Sequence, residues 1–227
     1  MDIELFYTKT GSGPPLLLLH GNGEDGTYFV HQVEEFSRDF TVYAIDTRGH
    51  GQSPRGGAPF TISQFADDLL AFMDRQGLPR ADILGFSDGG NIALIFALRH
   101  PDRVRRLILN GANLDPKGVK PLVQLPIVLG YHFASLSKSP KAKARAELLG
   151  LMVNEPHIDP AELGKLSMPV LVIAGTRDMI RENHTRLIAN RIPNARLVLI
   201  PGDHFIANKA PAAFDRVVRQ FLEEEST

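Results

Sequence analysis

Short apolar runs alternate along the chain with longer segments in which apolar positions recur every three or four residues. Residues 16–19, 42–45, 83–84, 107–109, 170–173 and 197–200 are continuously apolar rather than alternating with polar ones. Strands covered by helices on both faces produce this pattern, so the runs predict a parallel sheet. Helical spacing covers residues 28–36, 62–75, 91–99, 182–190 and 212–222. Thr61 stands as an N-cap for the second of these, with Gln64 three residues on as its capping-box partner. The rhythm predicts an α/β protein: a mostly parallel central sheet, right-handed crossovers and helices on both faces. Residues 3–8 add an antiparallel edge strand.

The rhythm breaks between Asn113 and Leu166. This stretch holds no strand pattern and contains Pro116, Pro121, Pro126, Pro140, Pro156 and Pro160. Residues 122–136 are apolar and residues 138–145 basic. The stretch reads as a short helical lid insertion, about 114–166, over the carboxyl edge of the sheet. A linker would lack these hydrophobes. Pro126 and Gly130 interrupt the apolar portion, so it is expected to line an acyl pocket rather than to dip into a membrane surface. The chain is thus expected to form one domain, 1–227.

Composition narrows the chemistry. The chain has 227 residues, a net charge of -1 and 22% charged residues, which gives no reason to expect a nucleic-acid partner. It has no cysteine, so disulfides, thiolate nucleophiles and thiolate-held metals are excluded. No apolar stretch approaches the roughly 18 residues of a membrane span, and the acidic start Asp2-Ile3-Glu4 is unlike a signal peptide. A cytoplasmic location is expected.

In open α/β sheets, ligands bind beyond the carboxyl ends of the strands. Gly85-Phe86-Ser87-Asp88-Gly89 lies between a strand and a helix, as a nucleophile elbow does. Asp178 follows the strand at 170–173, and His204 follows the strand at 197–200. Serine, acid and histidine in that order, each beyond a different strand, match the Ser…Asp…His triad on this architecture.

With HGNG at 20–23, DTRGHGQS at 46–53, GFSDGG at 85–90, GTRD at 175–178 and GDHF at 202–205, the chain resembles the α/β-hydrolase-fold serine hydrolases over nearly its full length. The run 83–113 is most similar to valacyclovir-hydrolase-like esterases, whose lid is longer. The resemblance implies a cofactor-free enzyme acting on a small carboxylic ester, amide or thioester. Ser87 would be the nucleophile, His204 the base and Asp178 the group that orients the histidine. The backbone N–H groups of Asn22 and Asp88 would form the oxyanion hole. In the esterases it resembles, an acid at the Asp88 position goes with α-amino esters, so Asp88 is a candidate for binding a substrate ammonium group. Perhydrolase or C–C bond hydrolase chemistry could use the same triad, and a non-catalytic small-molecule binder could keep the same scaffold.

Each assignment has a rival. Asp115 is a second candidate for the orienting acid. Asp203 reads as a turn former, and His20 and His50 as braces of their glycine-flanked loops. His157, in the insertion, is a candidate to face the pocket, with a surface position as its alternative. His31, His100, His132 and His184 show no metal-ligand spacing, and no metal is expected. Residues 21–26 match GxGxxG with Asp46 twenty residues beyond, but Glu24 and Asp25 would repel a pyrophosphate. Arg99, Arg103, Arg105 and Arg106 lack interleaved aromatics and suit a helix end instead. A small-molecule substrate is the expected partner.

Overall fold

Six of the seven strands form where the apolar runs lie, and β1 forms at the polar edge segment: β1 (Tyr7–Thr10), β2 (Pro15–Leu19), β3 (Thr41–Ile45), β4 (Ala81–Phe86), β5 (Val104–Asn110), β6 (Val170–Gly175) and β7 (Ala195–Ile200). The computed structural model describes residues 2–224; Met1 and residues 225–227 of the expected domain lie outside them. The strands stand in the order β1-β3-β2-β4-β5-β6-β7. β2 through β7 are parallel, and β1 pairs antiparallel with β3 at the edge. The edge strand is shorter and later than expected. Ile3 and Leu5 are buried in the core without pairing as a strand, and the register begins at Tyr7↔Ile45.

Continuous apolarity in the strands has the expected cause. Leu17, Leu19, Ile83 and Leu107 enter one core with Phe65, Leu69 and Phe96. Leu16, Leu18, Leu84 and Ile108 enter a second core with Phe36, Phe214 and Val218. Alternate residues of one strand therefore serve opposite faces, and both are covered. The helices are α1 (Val30–Phe36), α2 (Ile62–Arg75), α3 (Asp88–Arg99), α4 (Pro121–Leu136), α5 (Pro140–Asn154), α6 (Glu182–Arg191), α7 (Ile206–Lys209) and α8 (Pro211–Glu223). Thr61 caps α2 by accepting the Gln64 N–H at 3.1 Å. The reciprocal arm of the capping box does not form. Gln64 Nε2 instead donates to the carboxylate of Asp68 at 3.1 Å, a charged acceptor inside the same helix.

The break in rhythm is a pair of helices, α4 and α5, packed on each other. α4 runs unbroken through Pro126 and Gly130, which corrects the expectation that they interrupt it. Pro126 forfeits one intrahelical hydrogen bond, and packing against α5 holds the helix on either side. A second correction concerns the apolar side chains of α4. Leu122, Leu125, Leu129, Phe133 and Leu136 are exposed rather than turned inward as the lining of a pocket.

Arg48 of the DTRGHGQS segment is fully buried. It donates from Nε and Nη2 to Asp68 at 2.7 Å each, from Nη2 to Asp2 at 2.7 Å, and from Nη1 to the Arg55 carbonyl at 3.0 Å. The Asp68 carboxylate holds the guanidinium well above its ordinary value. This ties the N-terminal segment and the loop after β3 to α2. Asp68→Asn removes one charge of a buried pair and is expected to destabilise the fold by about 3 kcal/mol; urea unfolding measures it, and a change within 0.5 kcal/mol of wild type, about the size of a surface substitution, contradicts this role for Arg48.

Candidate active site

The order of the sheet reverses beside β2: the chain leaves β2 for β3 on one side and returns to β4 on the other. A crevice opens at such a switch point beyond the strand ends. Asn22 follows β2 there, and Ser87 follows β4. Between β4 and α3 the chain turns so tightly that a Cβ at Gly85 would lie 2.2 Å from the Gly89 carbonyl oxygen. One at Gly89 would lie 2.0 Å from that of Leu19. No side chain fits at either place. Ser87 sits at φ 53 and ψ -119, the only positive φ of a non-glycine residue among the described residues. Its N–H donates to the Asn110 carbonyl at 2.8 Å, and its own carbonyl accepts from Asn91 at 3.1 Å. The next residue, Asp88, opens α3, so its N–H is one of the helix's free N-terminal donors.

Asp178 and His204 follow β6 and β7 and meet. His204 Nδ1 lies 2.7 Å from Asp178 Oδ1, and both side chains are at least 95% buried. A carboxylate accepts only, so Nδ1 carries the proton and Nε2 is the nitrogen turned away from Asp178. Asp178 Oδ1 also accepts the Ile180 N–H at 2.8 Å, and Lys120 Nζ donates to the Asp178 carbonyl at 2.5 Å. The imidazole packs against the Phe86 ring, 4.8 Å between centroids, and against Gly111. A Cβ on Gly111 would come within 2.7 Å of His204 Cε1. Since Gly111 follows Asn110, which holds Ser87, the serine and the histidine share one corner of the sheet edge.

The Asp88 carboxylate is buried between two amides, Asn22 Nδ2 at 2.9 Å and Asn91 Nδ2 at 3.2 Å. Burial nevertheless pushes its carboxyl above the usual range. Ser87 and Asp88 border a cavity of about 10 Å³, closed by Asn113, Val119, Met152 and Glu155. That is space for about one water molecule at most. Glu155 also borders a hollow of about 420 Å³ between Phe60, Tyr131, Lys143 and Glu147. Glu155 Oε2 accepts the Ile62 N–H at 2.6 Å, and burial raises its carboxyl too. Sequence reasoning missed Glu155 and Asn113. Both lie in the irregular stretch where no periodicity placed them, and only the serine's neighbourhood in space identifies them.

The remaining candidates fall elsewhere. Asp115 caps the turn 116–118 by accepting from Lys117 at 2.8 Å and does not meet His204. His157 is exposed and pairs with Asp115 Oδ2 at 3.1 Å, which corrects the expectation that it faces the pocket: its surface carboxylate partner draws it outward. Asp203 accepts the Phe205 N–H at 2.9 Å, as a turn former does. Asp46, the acid of the GxGxxG pattern, is buried and braces two loops, accepting from Gly26 N at 2.7 Å and Gln52 N at 2.8 Å. Among the described residues no group of three or more His, Cys, Asp and Glu could hold a metal, and no helix is long and apolar enough to cross a membrane.

His20 braces the loop that carries Asn22. Its Nδ1–H donates to the Gly21 carbonyl at 2.7 Å while Nε2 accepts the Thr47 N–H at 3.0 Å, a neutral tautomer locked at both ends. Burial pushes this imidazole down to about 4. Half-buried Glu24, whose carboxylate accepts the Gly21 N–H at 3.2 Å, is pushed by burial up to about 7.

A model of the alpha/beta hydrolase fold matches residues 14–133. The RutD protein of Caulobacter sp. (strain K31), designated a carbamate hydrolase, is 30% identical over 263 aligned positions that cover 99% of this chain and 98% of that protein. The 3-oxoadipate enol-lactonase 2 of Acinetobacter baylyi is 25% identical, covering 97% of this chain and 94% of its own. Among solved structures, the enol-lactonase from Burkholderia xenovorans LB400 superposes with a TM-score of 0.83 at 26% identity, covering 98% and 97% of the two chains.

The state of His20 sets a pH dependence. Unfolded, a histidine takes its proton near 6.5; folded, His20 takes it only near 4. The unfolded chain therefore binds more protons between these values. The contribution of His20 to stability is complete above 6.5 and is lost as the pH falls toward 4, by up to about 1.4 kcal/mol per pH unit. Urea unfolding at pH 7 and pH 5 should show a smaller acid loss in His20→Gln than in wild type. Equal losses refute the locked neutral tautomer.

Proposed function

Because the chain belongs to the alpha/beta hydrolase fold family, we propose that it is a serine hydrolase that cleaves a small carboxylic ester, cyclic esters included, through an acyl-enzyme on Ser87. The observation that carries this reading is the buried 2.7 Å contact between His204 Nδ1 and Asp178, formed beside a serine held at positive φ. His204 Nε2 takes the proton of the Ser87 hydroxyl as Oγ attacks the acyl carbon, and the carbonyl oxygen becomes an oxyanion. The N–H groups of Asp88 and Asn22 receive that charge, with the N-terminal dipole of α3 behind the first. The imidazolium then returns its proton to the departing alkoxide. A water molecule, deprotonated by the same nitrogen, hydrolyses the acyl-enzyme and frees Ser87. Asp178 keeps the proton on Nδ1 and offsets the charge of the imidazolium. The names of the relatives, a carbamate hydrolase and enol-lactonases, support acyl or carbamoyl transfer to water.

We place α4 and α5 as the lid of this site. The cavity at Ser87 is too small for any ester, and Glu155 connects it to the larger hollow beneath the two helices, so substrate enters when they shift. The buried carboxylate of Asp88 and the half-buried one of Glu155 favour a substrate carrying an ammonium group, the preference that the likeness to valacyclovir-hydrolase-like esterases implies. Its charge would compensate groups whose ionised forms burial now disfavours.

Ser87→Ala should lower ester cleavage by about 10⁴-fold or more with an unchanged thermal melt, and should abolish labelling by a fluorophosphonate. A wild-type chain that resists the label, or an alanine variant that still turns over, refutes the nucleophile. For Asp88→Asn, kcat/KM on α-amino esters should fall by about 10-fold or more relative to matched unsubstituted esters; an unchanged ratio removes the ammonium from the substrate.

A further inference from the structure

α4 contains no charged residue, and its two faces differ. Toward α5, Ala134 is buried, Tyr131 meets Gly150, Gly130 meets Leu149, and Gln124 Nε2 donates to the Met152 carbonyl at 3.0 Å. On the other side Leu122, Leu125, Leu129, Phe133 and Leu136 are 91%, 60%, 50%, 72% and 82% exposed. These are five of the eight large exposed hydrophobics among the described residues, gathered on a single helix. At 3.6 residues per turn they fall within an arc of about 80°, the narrow seam of a helix pair rather than the broad face of a helix lying on a core. Exposed apolar surface so concentrated marks an interaction site.

The order of the seam identifies its occupant. The intervals from Leu122 to Leu136 are three, four, four and three residues, so the pattern reads the same from either end, with Leu129 at its centre. We propose that α4 is a homodimer interface, in which two copies of this chain pack their α4 helices antiparallel about a two-fold axis at Leu129. In an isologous contact residue i meets residue j and j meets i. Leu122 of each copy then meets Leu136 of the other, Leu125 meets Phe133, and Leu129 meets itself. Exposed Pro126 and His132 oppose each other in the same register and extend the contact. The five seam residues offer on the order of 600 Å² per copy, near the roughly 800 Å² per partner of a standard interface. No charge within the helix has to leave water, and the antiparallel arrangement aligns the helix dipoles favourably. The exposed cations Lys138, Lys141, Lys143 and Arg145 begin where the seam ends, and they make an anionic lipid surface the rival occupant. A two-fold pair matches apolar side chains at every position of the seam, whereas a lipid surface makes no use of its order.

Sedimentation velocity of the full chain from about 1 to about 100 µM brackets a micromolar association. A dimer is expected, and Leu129→Glu, which sets two carboxylates on the axis, should weaken it by about 100-fold or more. The chain has no cysteine, so single replacements report the register directly. Leu129→Cys should oxidise to a disulfide-linked dimer. Leu122→Cys alone should not, because its two copies would stand about 21 Å apart along the pair. Leu122→Cys combined with Leu136→Cys should restore cross-linking. Should Leu129→Glu melt early, the cysteine series still decides. A wild-type monomer throughout the range overturns the proposal, as does a dimer untouched by Leu129→Glu or cross-linking equally efficient at 122 and 129. Co-sedimentation of a monomeric chain with phosphatidylglycerol vesicles overturns it in favour of the lipid surface.

Discussion

The closeness of β4, α3 and the end of β2 is the constraint on which the site depends. Gly89 leaves about 2 Å between the position of a missing Cβ and the Leu19 carbonyl oxygen, and Gly85 leaves little more against Gly89 itself. α3 can therefore start directly over the sheet edge. Its N-terminal dipole, the free N–H of Asp88 and the Ser87 side chain all occupy the switch point between β2 and β4. Any longer or looser connection would move the hydroxyl off the edge, and the backbone of Ser87 would have no reason to hold a positive φ. Such strain persists only where its surroundings over-determine it. Here two hydrogen bonds, to Asn110 and from Asn91, fix the residue on either side.

Electrostatics around that turn follow from burial. Asp178 and His204 stabilise each other out of water. Asp88 is solvated by two asparagine amides instead of a cation, and burial still raises its carboxyl. Glu24 and Glu155 are shifted the same way. The crevice thus holds several carboxyl groups that burial pushes toward the neutral form, beside one histidine held by a carboxylate through Nδ1. His20 is the opposite case, an imidazole kept neutral so that one ring nitrogen can donate to Gly21 and the other accept from Thr47. These groups set the shape of the Asn22 loop without lying on the path of the reaction.

The insertion obeys different rules from the sheet. α4 and α5 bury little apart from their mutual contact, and α4 turns its largest apolar residues outward. The helix pair is held to the rest by Leu151, which is buried in the core with Phe65 and Phe96, and by polar ties, among them Arg55 to Glu147 at 2.7 Å and Asn22 to the Leu148 carbonyl at 2.8 Å. The surface pair of Arg55 and Glu147 contributes little by itself.

The alternation of apolar runs and periodic segments sufficed for the parallel sheet, for most of its helices and for the positions of Ser87, Asp178 and His204 at strand ends. Those features are local: period, punctuation by glycine, and the polar residue that follows each apolar run. Local signals favoured Asp178 and left Asp115 as its rival, since the choice depends on which strand end lies beside β7. Nor could they place His157 and Glu155, two residues apart in a stretch without periodicity, one at the surface and the other at the serine. Pro126 misled for a related reason, because a helix held by its neighbour tolerates a proline that an isolated one would not. Which residues become neighbours across 26 or 66 positions of chain, as His204 and Asp178 or Asn22 and Asp88 do, is a property of the folded sheet and its packed layers alone.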